Sequence, residues 1–140
     1  MGIVMRARDA MSSPVLTLGM AEPVERAAQL LCEHGFTSLP VVDDDGRLVG
    51  IVTEADVIRD QLPVDPSWRG GLPARGFRAG VRTVGEVMTT PVESLTPGAE
   101  IADAARMMVD ERIRSLPIVD GRGVVGILTR RDVLRSRLNG

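Results

Sequence analysis

Two short strings place a hydroxyl and a carboxylate three residues apart: GIVTEAD at Gly50–Asp56 and GILTRRD at Gly126–Asp132. In each, an apolar run stops at a threonine and a polar, helix-forming run begins. Thr53 and Thr129 therefore stand where a strand gives way to a helix. Two chemistries fit that position. T-x-x-D is a capping box, in which the threonine oxygen accepts from the N3 amide and the acid reaches back to the N-cap amide. A helix N-terminus is also a seat for phosphate, because its first N–H groups lack partners and carry the positive end of the dipole. The threonine hydroxyl adds a donor, and an ionised Asp56 or Asp132 can accept both hydroxyl hydrogens of a ribose diol. The two roles are compatible, since the acid can cap the helix when no ligand is bound.

Other chemistry finds few residues to carry it. Cys32 is the one cysteine and His34 the one histidine, which excludes an internal disulfide and a multi-thiolate zinc site. On a helix, residues two apart point to different faces, so Cys32 reads as a buried thiol near a helix end, with no metal site. No Ser-His-Asp set is available, no G-x-x-x-x-G-K-[ST] loop occurs, and no position is lysine. The chain therefore reads as a protein that is not an enzyme. Its 17 basic and 19 acidic side chains leave a net charge of −2, and its aromatics are one Trp and two Phe. That balance gives no footprint for nucleic acid. No run of ~20 apolar residues exists to span a membrane, and Met1–Arg8 lacks the apolar stretch of a signal peptide. A cytoplasmic protein is expected.

The elements that position these residues come from a tandem repeat. Ala10–Leu18 (AMSSPVLTL) returns as Val87–Leu95 (VMTTPVESL), and Thr37–Asp43 (TSLPVVD) returns as Arg114–Asp120 (RSLPIVD). Met11 and Met88, like Pro40 and Pro117, stand 77 residues apart, whereas Asp56 and Asp132 stand 76 apart. One deletion in a turn, DDDGR at Asp43–Arg47 against DGRG at Asp120–Gly123, explains the slip. Each copy reads β-α-β-β-α. A strand near Val15–Leu18 precedes a helix from Glu22 to Glu33, with Val24, Ala27, Ala28 and Leu31 on one stripe. Ile101, Ala104, Ala105 and Met108 form the matching stripe. Hairpin strands Ser38–Val42 and Leu48–Val52 follow, then helices Thr53–Gln61 and, in the second copy, Thr129–Leu138. The boundaries are 6–62 and 83–138, with an irregular linker at Pro63–Arg82 rich in Pro, Gly and Arg. Its Arg69, Arg75, Arg78 and Arg82 read as part of a solvated tether. Thr83 and Glu86 offer a capping box for a short helix. One copy is too small to bury its own apolar face, so the two must pack together.

The repeat order and the strings SLPVVD, GIVTEAD and GILTRRD resemble paired CBS motifs, the Bateman module of the AMP-activated kinase gamma subunit, IMP dehydrogenase and small bacterial proteins. The resemblance covers nearly the whole chain. It implies an α/β fold with a pseudo-two-fold pair of motifs, and a regulatory module binding an adenosine-containing ligand such as AMP, ADP or ATP in clefts between them. No cofactor is required; the adenine nucleotide is the regulatory ligand. For the cleft at Asp132 the matching positions are Arg114, Ile127, Thr129, Arg131 and Asp132, with Ala10, Phe36, Thr37 and Ser38 from the first repeat. For the cleft at Asp56 they are Ser38, Ile51, Thr53, Ala55 and Asp56, with Val87, Ile113 and Ser115 from the second. The resemblance also implies a homodimer, and an effector protein is an expected partner. The alternative is a ligand-free homodimeric scaffold whose T-x-x-D boxes only cap helices.

Charge separates the two clefts. T-R-R-D follows RIRSLP, which brings Arg112, Arg114, Arg130 and Arg131 near Asp132, whereas T-E-A-D puts Glu54 beside Asp56. Guanidinium matches phosphate in a bidentate fork and carboxylate repels it. The Asp132 cleft is the expected site, with Arg112 and Arg130 as ordinary solvated charges.

Overall fold

Proline and glycine bound the long helix of the first repeat. Pro23, with φ −70°, opens a helix at Val24, and Gly35 closes it in the left-handed region at φ 67°, its N–H donating to the Leu31 carbonyl. A computed structural model describes residues 4–13, 15–61, 82–121 and 123–139. The order is α1 (Ala7–Ala10), β1 (Leu18–Gly19), α2 (Val24–His34), β2 (Ser38–Val42), β3 (Leu48–Thr53) and α3 (Glu54–Gln61). It then repeats as α4 (Val84–Val87), α5 (Ile101–Asp110), β4 (Ser115–Asp120), β5 (Gly123–Thr129) and α6 (Arg130–Asn139). The architecture is mixed α/β, as expected. In the first half β1 lies parallel to β2, which is antiparallel to β3. In the second half β4 and β5 form an antiparallel pair. The first strand there shrinks to one parallel bridge, Leu95 to Ile118.

Several details differ from the sequence reading. The first strand begins at Leu18 rather than Val15, and α2 starts after Pro23 rather than at Glu22. Cys32 is exposed, not buried, because it falls on the side of α2 opposite Val24, Ala27 and Leu31, which are buried. Arg69, Arg75, Arg78 and the rest of 62–81 lie outside the described residues. Arg82 is no solvated charge: its guanidinium sits 3.5 Å from the buried carboxylate of Asp60 and 3.8 Å from Glu86. The short helix after Thr83 does form, with Thr83 N–H donating to the Glu86 carboxylate at 2.7 Å.

The main departure concerns which residues share a core. One cluster joins Leu18, Val24, Ala27, Leu31, Leu39, Val41 and Val52 to Val84, with Val87 and Met88 against it. The other joins Ile101, Ala104, Met108, Leu116, Ile118 and Leu128 to Ala7, with Met5, Ala10 and Met11 against it. The leading segments have therefore changed places: α1 completes the core of the second repeat and α4 that of the first. Paired rungs fix the exchange. Ser12 and Ile127 trade backbone hydrogen bonds at 2.9 and 3.2 Å, and Thr89 and Ile51 do so at 2.8 and 3.2 Å. Ser38 and Ser115, at equivalent positions, meet Oγ to Oγ at 2.6 Å in the interior. Two equivalent atoms in contact must lie on the pseudo-two-fold axis.

Each exchanged segment brings a methionine onto a glycine of the other repeat. A Cβ at Gly126 would stand 2.5 Å from Met11 Sδ and 3.0 Å from the Ser12 carbonyl oxygen. At Gly50 it would stand 2.6 Å from Met88 Sδ and 3.2 Å from the Thr89 carbonyl oxygen. The methionine can shift but the paired backbone cannot, so the glycine of G-I-x-T is required by close approach. Gly126→Ala and Gly50→Ala should each destabilise the fold by about 1–3 kcal/mol, the usual cost of overpacking. Urea denaturation measures this, and a loss below a few tenths would show that the rungs yield freely.

Candidate functional site

The second strand of each hairpin ends on its threonine, and the helix that follows turns the acid back onto it. Thr129 N–H donates to Asp132 Oδ2 at 2.9 Å, and Asp132 N–H donates to Thr129 Oγ1 at 3.2 Å. Thr53 and Asp56 make the same pair at 2.9 and 3.1 Å. Both boxes are thus real caps. Each acid is only 4% exposed. An arginine one turn on donates to Oδ1 in both halves, Arg135 to Asp132 and Arg59 to Asp56, at 3.2 Å each. Both arginines are mostly exposed, so these pairs hold weakly.

A cavity of about 600 Å³ opens beside Asp132 between the repeats. Its second-repeat wall carries Ile127, Thr129, Arg131, Asp132 and Arg114, and its first-repeat wall carries Phe36, Thr37 and Ser38. Eight of the nine residues expected there therefore line one space. Ala10 does not: it packs against the second core, and Ser12, two residues on, lines the cavity in its place. Val15, Leu16, Gly35 and Leu39 add first-repeat lining that the sequence reading missed, as do Arg130 and Arg135 from the second repeat. Arg135 was legible in principle, since it lies one turn beyond Asp132. Arg130 is exposed as expected for a solvated charge, yet it borders the cavity. Arg112 is exposed at φ 56°, where the first repeat has Gly35, and it is not part of the lining.

Around Asp56 the residues expected there make the contacts that the repeat prescribes. Ile51 is tied to Thr89 by the backbone rung, and Ser38 meets Ser115 on the axis. Val87 packs on the first core and Ile113 on the second, while Ala55 is exposed. The two acids also differ in what they have left to offer. A carboxylate oxygen has two lone pairs. Asp132 spends one on each oxygen, to Thr129 N–H and to Arg135, and among the described residues keeps one open on each. Asp56 receives in addition the hydroxyl of Thr89, 3.1 Å from Oδ1 and 3.0 Å from Oδ2. Charge follows the same division. Arg114, Arg130 and Arg131 make no side-chain ion pair or hydrogen bond with any described residue, and their equivalents in the first repeat are Thr37, Glu54 and Ala55.

A family model described as CBS domain matches residues 7–62 and 84–139. The chain belongs to the CBS domain family. Hypoxic response protein 1 of Mycobacterium tuberculosis is 30% identical over 129 residues, which are 92% of this chain and 82% of that protein. An uncharacterized protein of Methanocaldococcus jannaschii is 31% identical over 131 residues, but the chain spans only 30% of its length. Among solved structures, CBSX2 in complex with AMP has a TM-score of 0.79 at 29% identity, covering 96% of this CBS pair and 97% of that chain. CBSX2 is an Arabidopsis thaliana protein. The CBS domain pair of protein MJ0100, in complex with 5′-methylthioadenosine and S-adenosylmethionine, also has a TM-score of 0.79, at 28% identity over 98% of both chains. Hypoxic response protein 1 was solved with two coordinated zinc ions. In this CBS pair no group of three or more His, Cys, Asp or Glu side chains that could hold a metal occurs among the described residues. No helix among them is long and apolar enough to cross a membrane.

The cap geometry sets what each acid does for stability. Asp132→Asn keeps an oxygen for the Thr129 amide and should change stability by only a few tenths of a kcal/mol. Asp132→Ala leaves that amide unpartnered beside a cavity and should cost about 1–2 kcal/mol. Equal losses in chemical denaturation would mean that the carboxylate charge, not its acceptor oxygen, holds the turn.

Proposed function

We propose that this CBS pair is a regulatory sensor that holds an adenine nucleotide in the cleft at Asp132. One observation carries the reading: a buried carboxylate with an open acceptor position on each oxygen shares a cavity with three guanidinium groups unpaired among the described residues. The carboxylate suits two hydroxyls on adjacent carbons, as in ribose. The guanidiniums suit phosphate. Ile127, Leu16, Val15 and Phe36 supply apolar surface for a flat base. Neighbours crystallised with AMP and with methylthioadenosine and S-adenosylmethionine support an adenosine ligand. The arginines favour a phosphate-bearing one over the sulfonium cation.

No nucleophile and base are set together around Asp132, so the ligand is read rather than transformed. It would touch both repeats at once, and whatever it contacts in the two walls becomes part of one rigid unit. A ligand at 100 times its Kd stabilises the bound form by ~2.7 kcal/mol. That energy is available to shift how the pair meets an effector protein. Asp132→Asn should weaken AMP, ADP or ATP binding roughly tenfold to a hundredfold, the worth of a charge-assisted hydrogen bond. Asp56→Asn should leave affinity nearly unchanged. Calorimetry decides it: equal affinity in wild type and Asp132→Asn would overturn the ribose assignment, and a larger effect at Asp56 would reverse the order of the two clefts.

The assembly reading is a C2 homodimer. Ile58 on α3 and Leu134 on α6, at equivalent positions, are 59% and 65% exposed, and Leu138 on α6 is 87% exposed. Large aliphatic side chains at matching places on two helices suit an isologous contact with a second copy. Light scattering at micromolar concentration should give twice the mass of one chain. Replacing Ile58 and Leu134 by Glu should return it to one. A monomer in wild type would remove the dimer.

A further inference from the structure

The two acids make the same cap and arginine bonds at nearly the same distances, yet one hydroxyl breaks the equivalence. Thr89 Oγ lies 3.1 and 3.0 Å from the two carboxylate oxygens of Asp56. With the Thr53 amide on Oδ2 and Arg59 on Oδ1, the single Thr89 proton lies between the two carboxylate oxygens, on the side where a diol would have to bridge them. The hydroxyl comes from the opposite repeat and is held there. The Thr89 backbone is paired to Ile51 in both directions, and the neighbouring Met88 is seated against Gly50. The equivalent residue near Asp132 is Ser12, held to Ile127 by the same kind of rung. Its hydroxyl makes no bond to Asp132, and the residue is exposed at the cavity wall. The chemical difference is one methyl group. A threonine is stiff at χ1, whereas a serine turns freely among its rotamers.

We infer that Thr89 is an internal stand-in for a ligand hydroxyl, which keeps Asp56 closed to ribose and makes this chain bind one nucleoside rather than two. The inference rests on the reading of Asp132 as a ribose acceptor. A diol arriving at Asp56 would have to displace a hydroxyl that is already positioned by its own backbone, and so gains nothing over the contact it breaks. This closure is separate from the effect of Glu54, which opposes a phosphate but not an uncharged nucleoside.

The test counts equivalents bound at saturation by equilibrium dialysis, with adenosine and with AMP, on the full chain. Wild type should bind one. Thr89→Val, which keeps the shape and removes the donor, should bind two equivalents of adenosine, and adding Asp56→Asn should return the count to one. Thr89→Ala serves in its place if circular dichroism shows that the valine variant is unfolded. A purely structural tie would lower stability in these variants and leave the count at one, which overturns the inference. Two equivalents on wild type overturn it as well, while leaving the Asp132 reading intact. If neither adenosine nor AMP binds any variant, the adenosine reading fails and this inference falls with it.

Discussion

Everything in this molecule depends on an apolar face that neither repeat can close for itself. Each hairpin and its helices leave one side of the core uncovered, and the covering residue, Ala7 or Val84, comes from the other repeat's leading helix. Both are wholly buried. The exchange has a geometric consequence beyond stability. Tying each leading segment to the opposite sheet by a two-bond rung brings first-repeat residues over the second repeat's helix start. The wall of the Asp132 cavity is therefore made of both halves because the core is. Ser38 and Ser115 on the axis set the spacing between them.

At that helix start the same side chain serves two ends. The carboxylate caps its own helix and remains, in one half only, partly unspent. Capping alone would satisfy both halves equally, and the two boxes have nearly equal distances. What differs lies around them: three guanidiniums on one side, and a threonine hydroxyl and Glu54 on the other. A duplicated fold thus carries one site whose acceptors are open and one whose acceptors are met from within the chain. The fold is shared by symmetry, and the chemistry is set by a few positions where the symmetry was not kept.

Much of this was legible in the residues. The repeated strings carried the β-α-β-β-α order, and the hairpin strand Ser38–Val42 falls where its alternation and flanking turns put it. Eight of the nine residues assigned to the Asp132 cleft line one cavity, because the G-I-x-T-x-x-D string fixes strand end and helix start together. The rest depended on contacts that no local pattern encodes. The exchange of leading helices is written in no local pattern, since Ala7 and Val84 are each one small apolar residue in a four-residue helix, and only the resemblance put Ala10 and Val87 across the repeats. Ala10 does lie with the second repeat, but against its core, and Ser12 lines the cavity instead. Cys32 is of a type usually buried, yet the stripe of Val24, Ala27 and Leu31 leaves position 32 facing outward. Thr89 was hidden in a string that reads as conservative, M-T-T against M-S-S, where only the bond to Asp56 reveals that one methyl group matters.

The central claim is that ligand enters at Asp132 and not at Asp56, and amide resonances report it directly. In a titration of the 15N-labelled protein with AMP, the amides of Thr129, Arg131 and Asp132, together with those of Phe36 and Thr37, should shift in parallel. Those of Thr53 and Asp56 should stay in place. Shifts concentrated at Thr53 and Asp56, or confined to the exposed faces of α3 and α6 with Asp132 unmoved, would contradict the account.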